Sequence, residues 1–352
     1  MTMAFACWRG GACTILVVAA FVVAGCGAAD SGAVADADAA AEAVDPREQF
    51  AGTWRLVRTE RYDQRGEPLS DLMHPTIGLA DVLGYLMYDG DRFGRIVQRV
   101  DRSAEDIQAA LEGYEAYFGA YEVREAEGYV RYRIAGSVNP RLTGTELESF
   151  YEFSGGQLVL TPGLRCPDSY VARNGCAYGT TGIQLRHFWD RVAPSQESGA
   201  AAEPFHGFWA IDRLERQSLD GGDLSANQYA DGYLAYMPSG QMAVQLMRPD
   251  RRRYEGPRPT AAEAEAAMET YASYFGPFSL EPGEDVVVHH RAGHLDPDQV
   301  GTDARRAFAF RDGQLVLQPP VSTDAEGREV QTSVYWNRVS ARDSAAVAPT
   351  RD

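Results

Sequence analysis

Apolar and polar residues alternate along most of the chain, with the period of a β-strand that buries one face. In one such segment Val130, Tyr132 and Ile134 fall on one side, while Arg131 and Arg133 fall on the other. Segments of this kind predict a mainly antiparallel, all-β protein.

Two pairs of these segments are separated by dipeptides that favour tight turns. Gly155-Gly156 lies between residues 150–153 and 158–160, and Asp312-Gly313 lies between residues 308–310 and 315–317. A two-residue connection of this composition between alternating segments is typical of a β-hairpin. We therefore predict a hairpin at each of the two places.

A helical pattern interrupts the strands twice. Ser103 with Asp106 resembles an N-terminal cap, and Thr260 with Glu263 has the spacing of a capping box. A stripe at helical spacing follows each cap, and a glycine stands where a helix C-terminus favours one. We predict one helix per half, packed on a barrel end; the alternative is that its aromatic residues line a ligand site. The stripes and their glycines are Ile107, Leu111, Tyr114, Phe118 and Gly119, then Ala264, Met268, Tyr271, Phe275 and Gly276.

The whole pattern occurs twice. The opening Phe50, Gly52, Trp54 returns as Phe205, Gly207, Trp209, and each half closes on Trp-x-Arg-Val, at residues 189–192 and 336–339. Many intervening residues match in the same order, which chance does not produce. The pattern divides the chain into a signal peptide over residues 1–25, a disordered tether over 26–47, a first domain over 48–192, a linker over 193–204, a second domain over 205–340 and a disordered tail over 341–352.

The N-terminus carries the pattern of an export signal. Arg9 precedes an apolar run that ends in Val-Ala-Gly-Cys at Cys26, which resembles a bacterial lipobox. The resemblance implies that Cys26 is lipidated, and the Gly27 that follows favours the outer membrane of the cell envelope. Secretion with simple cleavage nearby is the alternative. Cys166 and Cys176 are then the cysteines left in the exported chain, which predicts a disulfide rather than a zinc site with too few ligands.

The charge and the missing motifs exclude several classes of function. The formal net charge is −17, which argues against nucleic acid and against docking on anionic lipid other than through the anchor. The sequence contains no lysine, so Schiff-base catalysis is excluded. Neither Gly-x-Ser-x-Gly nor His-Glu-x-x-His is present, and we assign no catalytic residue, metal or cofactor. The arginine-rich run at residues 248–253 is expected to be a solvated loop rather than an anion site.

The motifs of the second half resemble a known family. Tyr271-x-x-Tyr-Phe-Gly, the segment 286–295 and Pro297-x-x-Val-Gly-Thr, framed by Gly207-x-Trp and Trp336-x-Arg-Val, look like the bacterial and fungal lipocalin-like domain. The resemblance implies two tandem lipocalin-like antiparallel β-barrels, each with room for one small ligand. It also implies that the opening tryptophan of each half packs against the closing arginine, pairing Trp54 with Arg191 and Trp209 with Arg338.

Ligand contacts are expected on the face of each barrel that looks inward. By alignment with Val130, Tyr132 and Ile134, the residues His289 and Arg291 lie inside the second barrel. One hypothesis is that these two hold a ligand's carboxylate; the alternative is that Arg291 has an acidic partner within the protein. The histidines at 289, 290 and 294 are too far apart along a strand to share a metal. The candidate ligand-binding residues are His289, Arg291, Tyr236, Tyr271, Tyr132 and Tyr88.

Three functions fit these residues and motifs. The first is an envelope-anchored protein that binds a small hydrophobic or amphipathic molecule. The second is a cofactor-independent cyclase or isomerase, with His289, Arg291, Tyr236 and Tyr271 as candidates in the barrel. The third is a non-catalytic interaction protein of the envelope with filled barrels. Fold class alone does not separate them.

Overall fold

A computed structural model describes residues 45–62, 67–68, 81–162, 184–195, 199–226, 228–256 and 258–339. The predicted signal peptide, the lipidation site Cys26, the pair Cys166 and Cys176, and the C-terminal tail lie outside the described residues. Both barrels belong to one compact unit. The helices in the described ranges are too short or too polar to cross a bilayer.

The first barrel is an eight-stranded antiparallel sheet in which each strand pairs with the next and β8 pairs back with β1. This closure leaves no unpaired sheet edge. Its strands are β1 Gly52–Tyr62, β2 Val82–Asp89, β3 Arg92–Arg99, β4 Tyr114–Arg124, β5 Tyr129–Ser137, β6 Glu146–Ser154, β7 Gln157–Pro162 and β8 Gln184–Val192.

The second barrel repeats this order and closes through the pairing of β9 with β19. Eight of its strands form the barrel, and β10, β15 and β18 are two-residue additions to it. Its strands are β9 Gly207–Ser218, β10 Asp223–Leu224, β11 Asp231–Tyr236, β12 Gln241–Met247, β13 Tyr271–Leu280, β14 Val286–His290, β15 Gly293–His294, β16 Asp303–Arg311, β17 Gln314–Gln318, β18 Ser322–Thr323 and β19 Glu329–Arg338.

The strand faces follow the alternation in the sequence. Val130, Tyr132 and Ile134 belong to the buried interior of the first barrel, whereas Arg131 and Arg133 point outward and pair with acids on neighbouring strands. Both predicted hairpins are confirmed, as β6–β7 and β16–β17. In each hairpin both turn residues have positive φ, which is the conformation that Gly-Gly and Asp-Gly favour.

The helices are shorter than the sequence predicted. α1 spans Ile107–Glu112, α2 spans Gly199–Ala202 in the linker, and α3 spans Ala261–Glu269. The capping box of Thr260 and Glu263 is confirmed, but α1 is capped by Asp106, with Ser103 outside the helix. The long helical stripes were wrong: Tyr114 and Phe118 lie in β4, and Tyr271 and Phe275 lie in β13. A spacing of four residues fits a strand of period two as well as a helix.

Gly119 and Gly276 are therefore not helix caps. They lie at equivalent places within β4 and β13, where a Cβ atom would stand 1.9 Å from the carbonyl oxygen of Arg133 or His290 on the neighbouring strand. Glycine is required there because two backbones approach closely at an irregularity in the strand pairing.

The opening tryptophan and the closing arginine of each barrel are in contact, as predicted. The guanidinium carbon of Arg191 lies 4.2 Å from the ring centroid of Trp54, and Arg338 lies at the same distance from Trp209. Both arginines also donate to backbone carbonyls just before their tryptophan, including that of Ala51 for Arg191, at 2.5 Å. The glycine of each Gly-x-Trp has positive φ, and a side chain there would press against the guanidinium.

The two barrels pack face to face through β2–β4 of one and β11–β13 of the other. Arg102 donates to the carbonyl oxygens of His294, at 2.7 Å, and Leu295 across the interface. Arg251 makes the reciprocal contact with Ser137 and Val138, the residues that match His294 and Leu295 in the repeat. The expectation that the run 248–253 is entirely solvated was thus wrong for Arg251. Reciprocal contacts of this kind are typical of a twofold-symmetric dimer, here built from one chain.

Candidate functional site

A histidine and two tyrosines form a buried polar cluster inside the second barrel. The Tyr236 hydroxyl lies 2.6 Å from His289 Nε2, and the Tyr274 hydroxyl lies 2.9 Å from His289 Nδ1. His289 and Tyr236 are essentially inaccessible to solvent. The cluster comes from three strands, β11, β13 and β14, whose inward residues are otherwise apolar, among them Leu234, Phe278 and Val287.

His289 is held in its neutral form. Burial, followed by electrostatic interactions with Arg306, His290 and Arg291, lowers the pKa of His289 well below its usual range. A neutral imidazole donates through one nitrogen and accepts through the other. Consequently one of the two tyrosine hydroxyls donates to His289, while the other accepts from it and keeps its own O–H proton for another partner.

Arg306 lies next to this cluster. It pairs with Val287, which faces inward, across β14 and β16. Ala304 and Phe308 lie two positions before and after Arg306 on β16, and both face the interior. Its side chain is half-buried, and its positive charge opposes the rise that burial causes in the pKa of Tyr274. A cation therefore stands beside the His289 cluster inside a largely apolar barrel.

The first barrel has a different polar interior. The hydroxyls of Tyr88 and Tyr132 lie 2.6 Å apart, at the places that Tyr236 and His289 occupy in the second barrel. Arg95 forms a buried ion pair with Glu115, with 2.5 Å between Nε and Oε1. By strand pairing, Arg95 matches Val244 and Glu115 matches Ala272. The cation of the first barrel thus has an acid partner within the protein.

Each barrel also carries one buried indole N–H without a hydrogen-bond partner among the described residues. The atoms are Nε1 of Trp189 and Nε1 of Trp336, at equivalent positions in the closing strands. Both rings belong to the interior clusters of their barrels. A buried donor left unsatisfied costs about 1–3 kcal/mol, so its occurrence in both copies favours an acceptor other than the described residues.

The structure brings together some of the candidate ligand residues and separates others. Tyr88 with Tyr132, and Tyr236 with His289, are in hydrogen-bond contact inside the two barrels. Tyr271 lies instead at the interface between the barrels, where its hydroxyl donates to Gln245 Oε1 at 2.5 Å. Arg291 follows the end of β14, is partly exposed and donates to the carbonyl of Thr302.

Sequence reasoning missed Tyr274 and Arg306. The helical spacing predicts a helix that includes Tyr274, and the hairpin pattern indicates a strand only from residue 308 onward, so neither pattern places Arg306 inside the barrel. The register between β14 and β16, which sets Arg306 opposite Val287, is the observation that identifies it.

A second hydrogen-bonded chain lies on the outer face of the second barrel. His290 Nε2 lies 2.9 Å from the Ser279 hydroxyl, and His290 Nδ1 lies 2.8 Å from Asp303 Oδ1. This is the order of a Ser-His-Asp triad. However, all three side chains are exposed on the outer face of the barrel. The neighbouring backbone N–H groups, which an oxyanion would need, are already used in hydrogen bonds between the paired strands. We assign it no catalytic role.

Metal binding has no support in the described ranges. No group of three or more His, Cys, Asp or Glu side chains there is placed to hold an ion. His290 and His294 are separated by a break in the strand after His290.

Replacing His289 with Tyr, the residue that the first barrel has at position 132, should reduce the pH dependence of stability. Because the pKa of His289 is lowered in the folded state, its contribution is complete above about pH 6.5, the unfolded value, and is lost as the pH falls. The wild type should lose about 1.4 kcal/mol per pH unit through this residue below that point. Urea unfolding at about pH 7.5 and about pH 5 measures the difference.

The matched control is His290→Tyr, which changes the adjacent, half-exposed histidine on the outer face. It should leave the contribution of His289 to the pH dependence in place. An identical pH dependence in wild type and His289→Tyr would show that His289 is not buried in its neutral form.

Comparison with known proteins agrees with the repeat. A family model described as the lipocalin-like domain matches residues 51–174 and again residues 206–339. No protein of curated function matches the chain. Among solved structures, a protein of unknown function of the DUF3598 family from Nostoc punctiforme is 10% identical, with a TM-score of 0.22, over 83% of this chain and 97% of that one. A transferrin binding protein B mutant from Haemophilus parasuis is 7% identical, with a TM-score of 0.20, over 82% and 77%.

Proposed function

Because the chain belongs to the lipocalin-like domain family, we propose that it binds a small hydrophobic or amphipathic molecule inside its barrels. The observation that carries the proposal is the repeated combination of an apolar interior with a few uncommitted polar groups. Such a combination is typical of a site that buries an apolar body and orients one polar end.

A closed eight-stranded barrel has an interior wide enough to be filled by side chains or to hold one small ligand, and two features favour the ligand. The N–H groups of Trp189 and Trp336, which have no partner among the described residues, are donors that a ligand or an ordered water would satisfy. The inward residues of the second barrel include small ones, such as Ala272, where the first barrel has Glu115.

We further propose that the protein works as a lipoprotein of the bacterial cell envelope. The support is the sequence alone: the apolar run, the Val-Ala-Gly-Cys ending at Cys26, and the composition of residues 27–45 as a tether. Several acyl chains on Cys26 would anchor the barrels stably. Ligand capture would then take place next to the membrane, where apolar molecules are released and taken up.

Native mass spectrometry of the full mature protein purified from its own envelope tests both proposals. We expect one small molecule of definite mass, released unchanged by denaturation, and a protein mass that includes acylation of Cys26. Alkylation before reduction should leave Cys166 and Cys176 unmodified if they form a disulfide. A ligand-free protein that also fails to enhance the fluorescence of an anilinonaphthalene probe would contradict the binding function.

The variant Ala272→Phe adds a bulky side chain to the interior of the second barrel at a position where the first barrel carries the longer Glu115. It should abolish binding in that barrel while cooperative unfolding is kept. The control is Ala307→Phe on β16, which places the same side chain at an exposed position and should bind as the wild type does. Unchanged binding in Ala272→Phe would exclude the second barrel as a site.

A further inference from the structure

We infer that the second barrel selects ligands whose polar end is an anion, of the carboxylate class, and that Arg306 is the residue that recognises it. The first barrel does not share this preference. The inference rests on the proposed function and names the ligand class of one of its two sites.

Arg306 lacks an acid partner among the described residues. No carboxylate there lies within ion-pair distance of its guanidinium, whereas the adjacent Arg305 pairs with Glu281 and Glu284. Its side chain donates to the backbone carbonyl of Arg305, at 2.9 Å, and its charge acts on Tyr274. A half-buried cation of this kind has unused donors for an incoming anion.

The charge surrounding Arg306 has the same sign. Arg291 is a second cation close to the cluster, and both arginines act electrostatically on His289 and Tyr274. The inward positions of β11 to β14 next to them are apolar or aromatic, including Leu234, Val244 and Phe278. The polar end of a bound ligand therefore meets a positive potential, because none of the inward residues of these strands is an acid that would cancel it.

The two copies carry different residues at these positions. At the positions of Arg306 and Arg291 the first barrel has Ser149 and Ile134, and the cation it does carry, Arg95, is bound by Glu115. An ion pair enclosed in the first barrel presents no net charge to a ligand. The two copies thus share the same barrel strand order but differ in the charge of their interiors.

The other hydrogen-bond donors inside the second barrel match the several acceptor sites of a carboxylate. One hydroxyl of the pair Tyr236 and Tyr274 keeps a free O–H proton because His289 is neutral, and Trp336 Nε1 has no partner among the described residues. A carboxylate accepts hydrogen bonds at both oxygens, whereas an ester or alcohol of the same length accepts fewer and carries no charge. The cluster therefore discriminates by charge and by acceptor number.

The test compares dansyl-labelled undecanoic acid with its methyl ester, titrated into the full mature protein. We expect the acid to bind about ten- to a hundredfold more tightly than the ester, the range of one charge-assisted hydrogen bond. Arg306→Ser, which introduces the residue of the first barrel, should lose this preference and keep the affinity for the ester. Arg306→Met, which keeps the length of the side chain, should do the same if the charge is responsible.

The matched control is Arg305→Ser, because the adjacent residue points to the outer face and pairs with Glu281. It should retain the preference for the acid. Equal affinity for acid and ester in the wild type, or an unchanged preference in both Arg306 variants, would overturn the inference while leaving the proposed binding function intact. Failure of both probes to bind the wild type would count against the proposed function itself, and the inference would fall with it.

Discussion

Replacing Arg251 with Met should lower the free energy of unfolding by about 3 kcal/mol, because it removes several hydrogen bonds from a largely buried charged group. The Arg251 side chain donates to the carbonyl of Val138 at 2.8 Å, to that of Ser137, and to Thr270 Oγ1 at 3.0 Å. Methionine keeps much of the apolar stem but leaves the two carbonyls of the other barrel without these donors. Burial lowers the pKa of Arg251, but an arginine stays charged at any ordinary pH.

The reciprocal residue should behave in the same way. Arg102 lies over the ring of Tyr114 as Arg251 lies over the ring of Tyr271, with distances of 4.7 and 4.9 Å to the centroids. Burial lowers the pKa of Arg102 to about 10. We therefore expect Arg102→Met to cost about the same free energy as Arg251→Met, since both contacts are made of the same groups.

Guanidinium chloride unfolding of the two single variants measures these losses. The exposed neighbour Arg252 provides the control, and Arg252→Met should stay within about 0.5 kcal/mol of the wild type. A loss below about 1 kcal/mol in both interface variants would mean that water replaces the guanidinium at these carbonyls and that the arginines do not hold the barrels together.

Gly94→Ala should destabilise the protein by about 3 kcal/mol, through overpacking of a rigid interface. A Cβ atom on Gly94 would lie 1.9 Å from the hydroxyl oxygen and 2.4 Å from Cζ of Tyr233. That ring has no free direction in which to move. It stacks on Phe208 and meets the edge of Phe118, with centroid distances of 5.0 and 5.2 Å, and its hydroxyl accepts from Gln245 Nε2 at 3.0 Å.

A double-mutant cycle with Tyr233→Ala identifies the cause. If the collision with Tyr233 is responsible, Gly94→Ala should cost much less in the Tyr233→Ala background than in the wild type, with a coupling of about 2 kcal/mol. The same cost in both backgrounds would show that the conformational freedom of glycine, and not contact between the barrels, explains the loss. The position of the second barrel that matches Gly94 is Ala243, so the interface is only approximately symmetric.

Much of the fold could be predicted from local patterns. The alternation of Val130, Tyr132 and Ile134 with two arginines identified the inward face of β5, and the Gly-Gly and Asp-Gly turns identified two hairpins. These predictions succeed because the side-chain period of a strand and the φ angles of a tight turn are properties of a few adjacent residues.

The helices show where a local pattern becomes ambiguous. Tyr114 and Phe118 continue the helical stripe of α1 in sequence, yet they lie in β4 and pack between the barrels. Residues four positions apart share a face in a helix and also in a strand. Only the pairing of β4 with β3 and β5, made by residues distant in the chain, decides between the two.

The sequence by itself determined the duplication, the family, the inward face of β5 and two hairpins, since repeated motifs and alternation are written in the order of residues. The tertiary structure decided which apolar faces meet each other and which charges share an interior. Arg306 lies beside His289 because of the register between β14 and β16, and Arg251 is largely buried because the first barrel covers it. Both facts depend on contacts between segments that are distant in the sequence. The free energy of packing selects these contacts, and local propensity does not specify them.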